Sequence, residues 1–288
     1  MATLTANMAS LLARETIRQL RSEQLSLHPD RLPGHGFKAY SQNDEDGIIQ
    51  EIFLRIGTTN RTFIEFGCGE GIENNSLYLL LLGWSGVWID GSAKNIESVN
   101  RLHRVALDKG ALRAEPHMIT AENIDDVLSN LCKEKQIDLL SIDIDGNDYW
   151  VWSALQSINP RVVVVEYNAT LRPPIDAVQA YRADTRWNET NYYGASLAAL
   201  ERLGISKGYA LVGCNLNGIN AFFVRRDCLN DRFVQPFTAA HHYMPPNFDL
   251  FVLSKGEAHP PGVGLYMTMD SEKVAASADN VSTEPAIK

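Results

Sequence analysis

The stretch whose reading decides the fold is "FIEFGCGEG", Phe63–Gly71. An apolar run carrying Glu65 ends at Phe66. Glycines then take every second position, at Gly67, Gly69 and Gly71. A short apolar run without alternation reads as a strand buried on both faces of a parallel sheet. Residues without a side chain let the chain turn tightly at the strand end and let a ligand approach the main chain. The stretch therefore predicts a ligand lying across the end of a buried strand.

The same rhythm extends downstream. "TFIEF" precedes a predicted helix over 75–82. "GVWID" is a strand, followed by a helix from Ser92 with Ile96, Val99, Leu102 and Ala106 on one stripe and Gly110 at its end. "EPHMIT" reads as a strand and "ENIDDVLSNLCKEK" as a helix. "IDLLSID" reads as a strand, "DYWVWSALQSI" as a helix ended by Pro160, and "RVVVVEY" as a strand. Such alternation predicts a doubly wound α/β domain. After Tyr167 the rhythm breaks into a long polar and aromatic insertion, 169–193, at the edge where ligands bind. "ASLAALERLG" is a further helix. "YALVGCNLNGINAFFV" reads as two strands joined through Asn217-Gly218, so the sheet ends in an antiparallel pair.

Upstream, residues 1–25 read as an amphipathic helix, "HPDRLPGHG" as a breaker and "SQNDEDGIIQEIFLRIG" as a helix with acids in its first turn. The predicted organisation is a helical N-terminal extension (1–38), a core domain (39–233) with 169–193 as a substrate cover, and a C-terminal extension (234–288) disordered from about residue 271.

Composition bounds the partners. The chain has 288 residues and a formal net charge of -9, without the basic clusters that nucleic-acid binding requires. "LYLLLLGW" is too short to span a membrane. Glu15 and Glu23 argue against a transit peptide. Cys68, Cys132, Cys214 and Cys228 form no CxxC pair, and reduced thiols in a cytoplasm are the economical reading.

The glycine spacing is GxGxG. Ile72 stands where a dinucleotide fingerprint needs its third glycine, and the P-loop lysine is absent. Glu65 would repel a phosphate and suit a positively charged ligand, an ammonium or a sulfonium. Asp90, ending the next strand in "WIDGS", suits the two ribose hydroxyls of a nucleoside, with Gly91 and Ser92 following it. Together these features predict S-adenosylmethionine. The plainer alternative is a glycine turn with Asp90 as a helix N-terminal acid.

The segments "YSQNDEDGIIQEIF", "FIEFGCGEGIENNSLYLLLLGWSGVWIDGS", "ITAENID", "LLSIDIDGNDYWVW" and "VVVVEYN" together resemble the FkbM-like branch of the class I S-adenosylmethionine-dependent methyltransferases, over about residues 39–226. The resemblance implies a seven-stranded, Rossmann-like sheet with an antiparallel last strand. It implies that Glu65, Gly67 and Gly69 bind the methionine part and Asp90 the ribose. Glu122 and Asn123 would lie near the adenine, and Gln42, Asn75 and Asp143 would line the same cleft.

Three candidates remain for the chemistry beyond the cofactor. "SIDIDGND" and "VEYN" place hard oxygen ligands at neighbouring strand ends, and Asp143, Glu166 and Asn168 form a candidate Mg²⁺ site. The alternative leaves Asp143 in the cofactor cleft and Glu166 bonded to a backbone amide. Asp143 and Glu166 are also candidate catalytic groups. So are His241 and His242 of "TAAHHYMPP", whose unperturbed pKa suits a general base, although a surface pair is the plainer reading. The aromatic stretch 187–193, with Arg172 and Arg182, is a candidate substrate wall.

The expected function is methylation of a small-molecule or sugar-like acceptor, on an oxygen. The rivals are a nicotinamide- or flavin-dependent oxidoreductase, a methyltransferase-like module that binds a nucleoside without catalysis, and an enzyme acting on a protein or glycan.

Overall fold

The computed structural model describes residues 2–185, 187, 189–247 and 266–267. The sequence-predicted disorder from about residue 271 lies outside the described residues.

Seven strands form one sheet in the order β3-β2-β1-β4-β5-β8-β7. They are β1 (Thr62–Phe66), β2 (Ser85–Asp90), β3 (Leu112–Pro116), β4 (Gln136–Ile142), β5 (Asn159–Glu166), β7 (Tyr209–Cys214) and β8 (Asn220–Arg225). The first five are parallel. Strand β8 runs antiparallel between β5 and β7. The protein is thus the expected α/β fold, a doubly wound and mostly parallel seven-stranded sheet with an antiparallel hairpin at one end.

Residues along the central strands divide between two cores, which explains why their sequences are apolar without alternation. Phe63, Leu139, Val162 and Val164 join Ile48, Ile52 and Phe53 of α2 (Glu45–Ile56) on one face. Ile64, Leu140, Val163 and Val165 join Leu128 of α6 (Ile124–Leu131), Trp152 of α7 (Asp148–Ala154) and Leu200 of α8 (Leu197–Ser206) on the other. The helix α1 (Ala2–Leu27) and a 3-10 turn at Leu32–His35 form the N-terminal extension. Helix α3 covers Leu77–Leu81.

Four sequence expectations shift. The third strand is Leu112–Pro116 rather than the segment 115–120. Pro116 lacks an N–H to continue the ladder, and in register with Asp90 it marks the edge where the chain leaves the sheet. His117 to Ile119 are thereby freed for the cavity described below. The helix from Ser92 breaks at His103 into α4 (Ala93–Leu102) and α5 (Arg104–Asp108), where the His103 ring meets the Gly71 carbonyl at 2.6 Å. Helix α7 ends at Ala154, before Pro160, because Gln156 and Ser157 donate their amides to Asp125 at 2.8 and 2.7 Å. Pro160 instead sits near the start of β5. The helix expected over 75–82 begins only at Leu77, because the amides of Asn75 and Ser76 are given to Glu65.

Beyond the sheet, β6 (Val178–Gln179) pairs with β9 (Tyr266–Met267), and α9 spans Ala239–His242.

Candidate functional site

A cavity of about 660 Å³ opens at the carboxyl ends of β1, β2 and β4, the edge at which parallel sheets take ligands. Gly67 and Gly69 both line it, for different reasons. At Gly67 (φ 74°) a Cβ would lie 1.6 Å from the Asp143 carbonyl oxygen, so glycine is required by the closeness of β1 and β4. At Gly69 (φ 55°) a Cβ would meet nothing within 4 Å. Only Gly69 leaves open space for a ligand along the backbone, and Gly71 is not part of the wall.

The acids predicted from the glycine motif line the cavity and also build its floor. Glu65 is 2% exposed. Its carboxylate accepts from the Asn75 amide (2.7 Å), the Ser76 amide (3.0 Å), the Asn74 side chain (2.8 Å) and the Ser76 hydroxyl. Burial raises its pKa, and these donors oppose the rise. Asp90 accepts from the Gly69 amide (2.9 Å), the Ser92 amide (2.7 Å) and the Asn95 side chain (3.0 Å). It therefore fixes the glycine turn and tethers the start of α4, where Ser92 is the N-cap. Asp90 thus both tethers the helix start and lines the cavity. Gln42, Asn75, Gly91 and Ser92 also line the cavity.

Glu122 and Asn123 do not. The Asn123 side chain folds onto its own turn, accepting from the Thr120 amide and donating to the Met118 carbonyl, both at 2.8 Å. Glu122 accepts from the Tyr181 hydroxyl. The loop after β3 instead offers His117, Met118 and Ile119. These three residues read from sequence as strand positions, and they become free to line the cavity only because β3 ends at Pro116.

At the ends of β4 and β5, Asp143 belongs to this cavity and to a second one of about 160 Å³. Gln42, Asp145 and Trp187 are also shared, and Glu166, Tyr193 and Ile219 complete the smaller cavity. The carboxylates of Asp143, Asp148 and Glu166 each bring one oxygen within 4.8 Å of the others. Asp143 is held well above the usual carboxylate range by burial and then by Asp148, Asp145 and more distant acids. Glu166 is raised in the same way by burial, Asp143, Asp148 and Asp145.

Asn168 is not in this cluster. It is fully buried, its amide donates to the Asn191 carbonyl (2.8 Å) and the Tyr193 carbonyl (2.9 Å), and its oxygen accepts from Thr170. With both ends engaged, it holds the insertion, and Asp148 takes its place among the acids. Asp148 itself accepts the amides of Ile144 (3.0 Å) and Gly146 (2.9 Å).

Residues of the insertion other than its arginines line the two cavities. Ala183, Thr185, Trp187 and Glu189 face the larger cavity, and Trp187 and Tyr193 the smaller one. Arg172 and Arg182 line neither, and Arg182 pairs with Asp184 at 3.2 Å.

His241 and His242 also line neither cavity. They lie on α9, packed against α8 and β7. His242 is 2% exposed and its pKa falls to about 3 through burial, the His241 ring and Arg31, so it stays neutral. Neither ring therefore faces the two cavities that hold the acids.

One further acidic group supports the floor from the N-terminal side. Glu45 is fully buried and accepts from Asn215 and Asn220, both at 2.9 Å, and from the Asn43 amide at 2.9 Å. Asn220 in turn lines the larger cavity. The acids noted at the start of the "SQNDEDG" helix are thus inward anchors rather than helix-dipole charges. A cluster of Asn, Asp and Glu inside an otherwise apolar pattern was the available signal.

No protein-family model matches the chain, and no curated protein matches it in sequence. Among solved structures, the chain is similar to an O-methyltransferase from Bacillus cereus in complex with SAH, at 17% identity and TM-score 0.34, over 55% of this chain and 66% of that one. It is similar to a geranyl diphosphate C-methyltransferase from Streptomyces coelicolor A3(2), at 13% identity and TM-score 0.31, over 43% of this chain and 46% of that one. A third is an S-adenosylmethionine-dependent methyltransferase from Clostridium acetobutylicum ATCC 824, at 12% identity and TM-score 0.36, over 61% of this chain and 88% of that one. The chain spans about two thirds of the length of the first and under half of the second.

Proposed function

We propose that the protein is an S-adenosylmethionine-dependent methyltransferase of the FkbM-like kind, acting on an oxygen of a small-molecule acceptor. The observation that carries this reading is the charge of the larger cavity. Glu65, Glu73, Asp90, Asp143, Asp145 and Glu189 face it, and no lysine or arginine does among the described residues. The pyrophosphate of a dinucleotide would find a largely anionic wall there, its one adjoining ammonium, Lys38, already paired with Glu73 at 2.6 Å. S-adenosylmethionine carries an ammonium and a sulfonium, which such a wall attracts. Asp90 has one donor on Oδ2 and two on Oδ1, which leaves acceptor capacity on Oδ2 for a ribose hydroxyl. Ile89, Met118 and Ile119 supply apolar surface suited to an adenine.

Bound S-adenosylmethionine supplies an activated methyl group. The chain's own task is to orient a nucleophile and to accept its proton. The smaller cavity adjoins the larger one and suits the acceptor. Trp187 and Tyr193 wall it, and Glu166 or Asp143, both held well above the usual carboxylate range by burial and neighbouring acids, can take a hydroxyl proton. The donor set Asp143, Asp148 and Glu166 consists of hard oxygens and fits Mg²⁺, which would lower the pKa of an acceptor hydroxyl. We also place the protein in the cytoplasm, since its four cysteines are free. No helix among the described residues is long and apolar enough to cross a membrane.

Calorimetry tests the cofactor. S-adenosylhomocysteine should bind in the micromolar range, about -8 kcal/mol, and NADH should not. The reverse result would overturn the reading. Labelled methyl transfer to a panel of hydroxylated small molecules, with EDTA and then Mg²⁺ added, tests the acceptor atom and the metal.

A further inference from the structure

Among the described residues, the C-terminal extension meets the insertion at Tyr243, whose hydroxyl donates to the Ala169 carbonyl at 2.6 Å, and again at Tyr266–Met267. Residues Tyr266–Met267 of β9 pair antiparallel with Val178–Gln179 of β6. On its other side, β6 bridges Ala195 through Val178, and Gln179 exchanges hydrogen bonds with Gly194 at 2.8 and 3.2 Å. The Gln179 carbonyl also accepts from the Trp150 indole of α7 at 2.9 Å. The small strand is therefore tied to the domain on one edge and to the C-terminal segment on the other.

Tyr266 reaches further. Its ring packs edge-on against Tyr192, with centroids 4.8 Å apart. Its hydroxyl donates to the Asn191 carbonyl and accepts from the Asn168 side chain, both at 3.3 Å. Burial, with Tyr192 beside it, raises the phenol to about 12, so it remains a donor at neutral pH. Asn168 follows Glu166 by two residues and also holds the carbonyls of Asn191 and Tyr193. Tyr193 and Trp187 are the insertion's walls of the smaller cavity. A continuous set of bonds thus runs from the end of β5, through Asn168 and Tyr266, to the segment that covers the acceptor cavity.

We propose that Asn168 and Tyr266 are positioning residues, and that the C-terminal segment clasps the insertion so that Tyr193 and Trp187 wall the acceptor cavity. The acceptor role of that cavity rests on the methyltransferase reading; the clasp itself is tested independently of it. Because β9 joins β6 through the backbone, Tyr266–Met267 imposes shape on the insertion although neither residue lines the larger cavity.

The test uses the full-length protein carrying Tyr266→Ala, Tyr266→Phe or Asn168→Ala. Hydrogen exchange read by mass spectrometry should quicken about tenfold over residues 189–194 in Tyr266→Ala. Tyr266→Phe keeps the ring and loses the hydroxyl, and should show a smaller change of roughly threefold. Acrylamide should quench Trp187 fluorescence more strongly in the same order. Exchange in β1, β4 and β5, and affinity for S-adenosylhomocysteine, should stay as in the unaltered protein. Combining Tyr266→Phe with Asn168→Ala should give less than the sum of the two, because they share one hydrogen bond. Unchanged protection over 189–194 in Tyr266→Ala would overturn the clasp. So would a loss of protection spread equally over the sheet, which would mark a general packing role. If the unaltered protein fails to bind S-adenosylhomocysteine, the methyltransferase reading falls and the exchange result still decides the clasp.

Discussion

The two halves of the site use carboxylates in opposite ways. At the ends of β1 and β2, Glu65 and Asp90 are surrounded by donors: four hydrogen bonds reach Glu65 and three reach Asp90. At the ends of β4 and β5, Asp143 and Glu166 face Asp145 and Asp148, and neighbouring charge adds to burial in raising them. The first half is preorganised, since its acids are spent on shaping the turn that a ligand would lie against. The second half crowds acids against one another, a poor arrangement for stability and a useful one for holding a cation or taking a proton. A site acid can thus be a scaffold or a reagent, and its hydrogen-bond donors tell which.

The strongest challenge to that contrast is Glu65→Gln. An amide nitrogen in place of one oxygen would face the donors of Asn75 or of Asn74 and Ser76 and leave buried partners unmatched. A loss of about 2–4 kcal/mol in urea unfolding is expected, together with loss of S-adenosylhomocysteine binding. Stability equal to that of the unaltered protein would show that the donors are not what holds the turn.

Asp90→Ala comes next. It removes acceptors from Gly69, Ser92 and Asn95. S-adenosylhomocysteine affinity in calorimetry should fall by about 1.5–3 kcal/mol. A change below about twofold would confine Asp90 to capping α4.

Glu166→Gln should have the opposite sign for stability. Its folded pKa is raised above the unfolded value of about 4.3. Its contribution is therefore fully present below that value and is lost as pH rises through the folded pKa. Removing the charge should stabilise the protein by about 1–2 kcal/mol at pH 8 and by almost nothing near pH 4. The same variant should lose methyl transfer while keeping S-adenosylhomocysteine affinity. Denaturation curves at the two pH values decide the first point; a stability gain of equal size at both would remove the charge argument.

Tyr193→Ala sharpens the division between the cavities, because Tyr193 lines only the smaller one. Methyl transfer should weaken about tenfold with cofactor affinity within twofold, as expected for a group that orients the acceptor alone. Equal loss of both would mean that the insertion supports the whole site. The smallest effect is expected for His241→Ala, which touches neither cavity. Its methyl-transfer rate should stay within about twofold, and a large loss would return the histidine pair to the chemistry.

The sequence by itself determined the sheet and the first half of the site, for a local reason. Buried parallel strands must be apolar on both faces, so "FIEF", "LLSI" and "VVVVE" announce themselves. Gly67, Gly69, Glu65 and Asp90 lie within one βαβ unit, where chain order and spatial order coincide. Only the tertiary structure decided the second half. Whether Asn168 turns toward Asp143 or toward the insertion depends on carbonyls at Asn191 and Tyr193, residues far along the chain. Whether Asp148 joins Asp143 and Glu166 depends on the turn it makes with Ile144 and Gly146. Whether His242 can titrate near neutrality depends on its burial on α9. The clasp joins residues 98 positions apart, Asn168 and Tyr266, which no periodicity or motif connects. Local pattern fixes which residues a strand or turn presents; long-range packing fixes which of them keep a free lone pair, and that remainder is what the site has to work with.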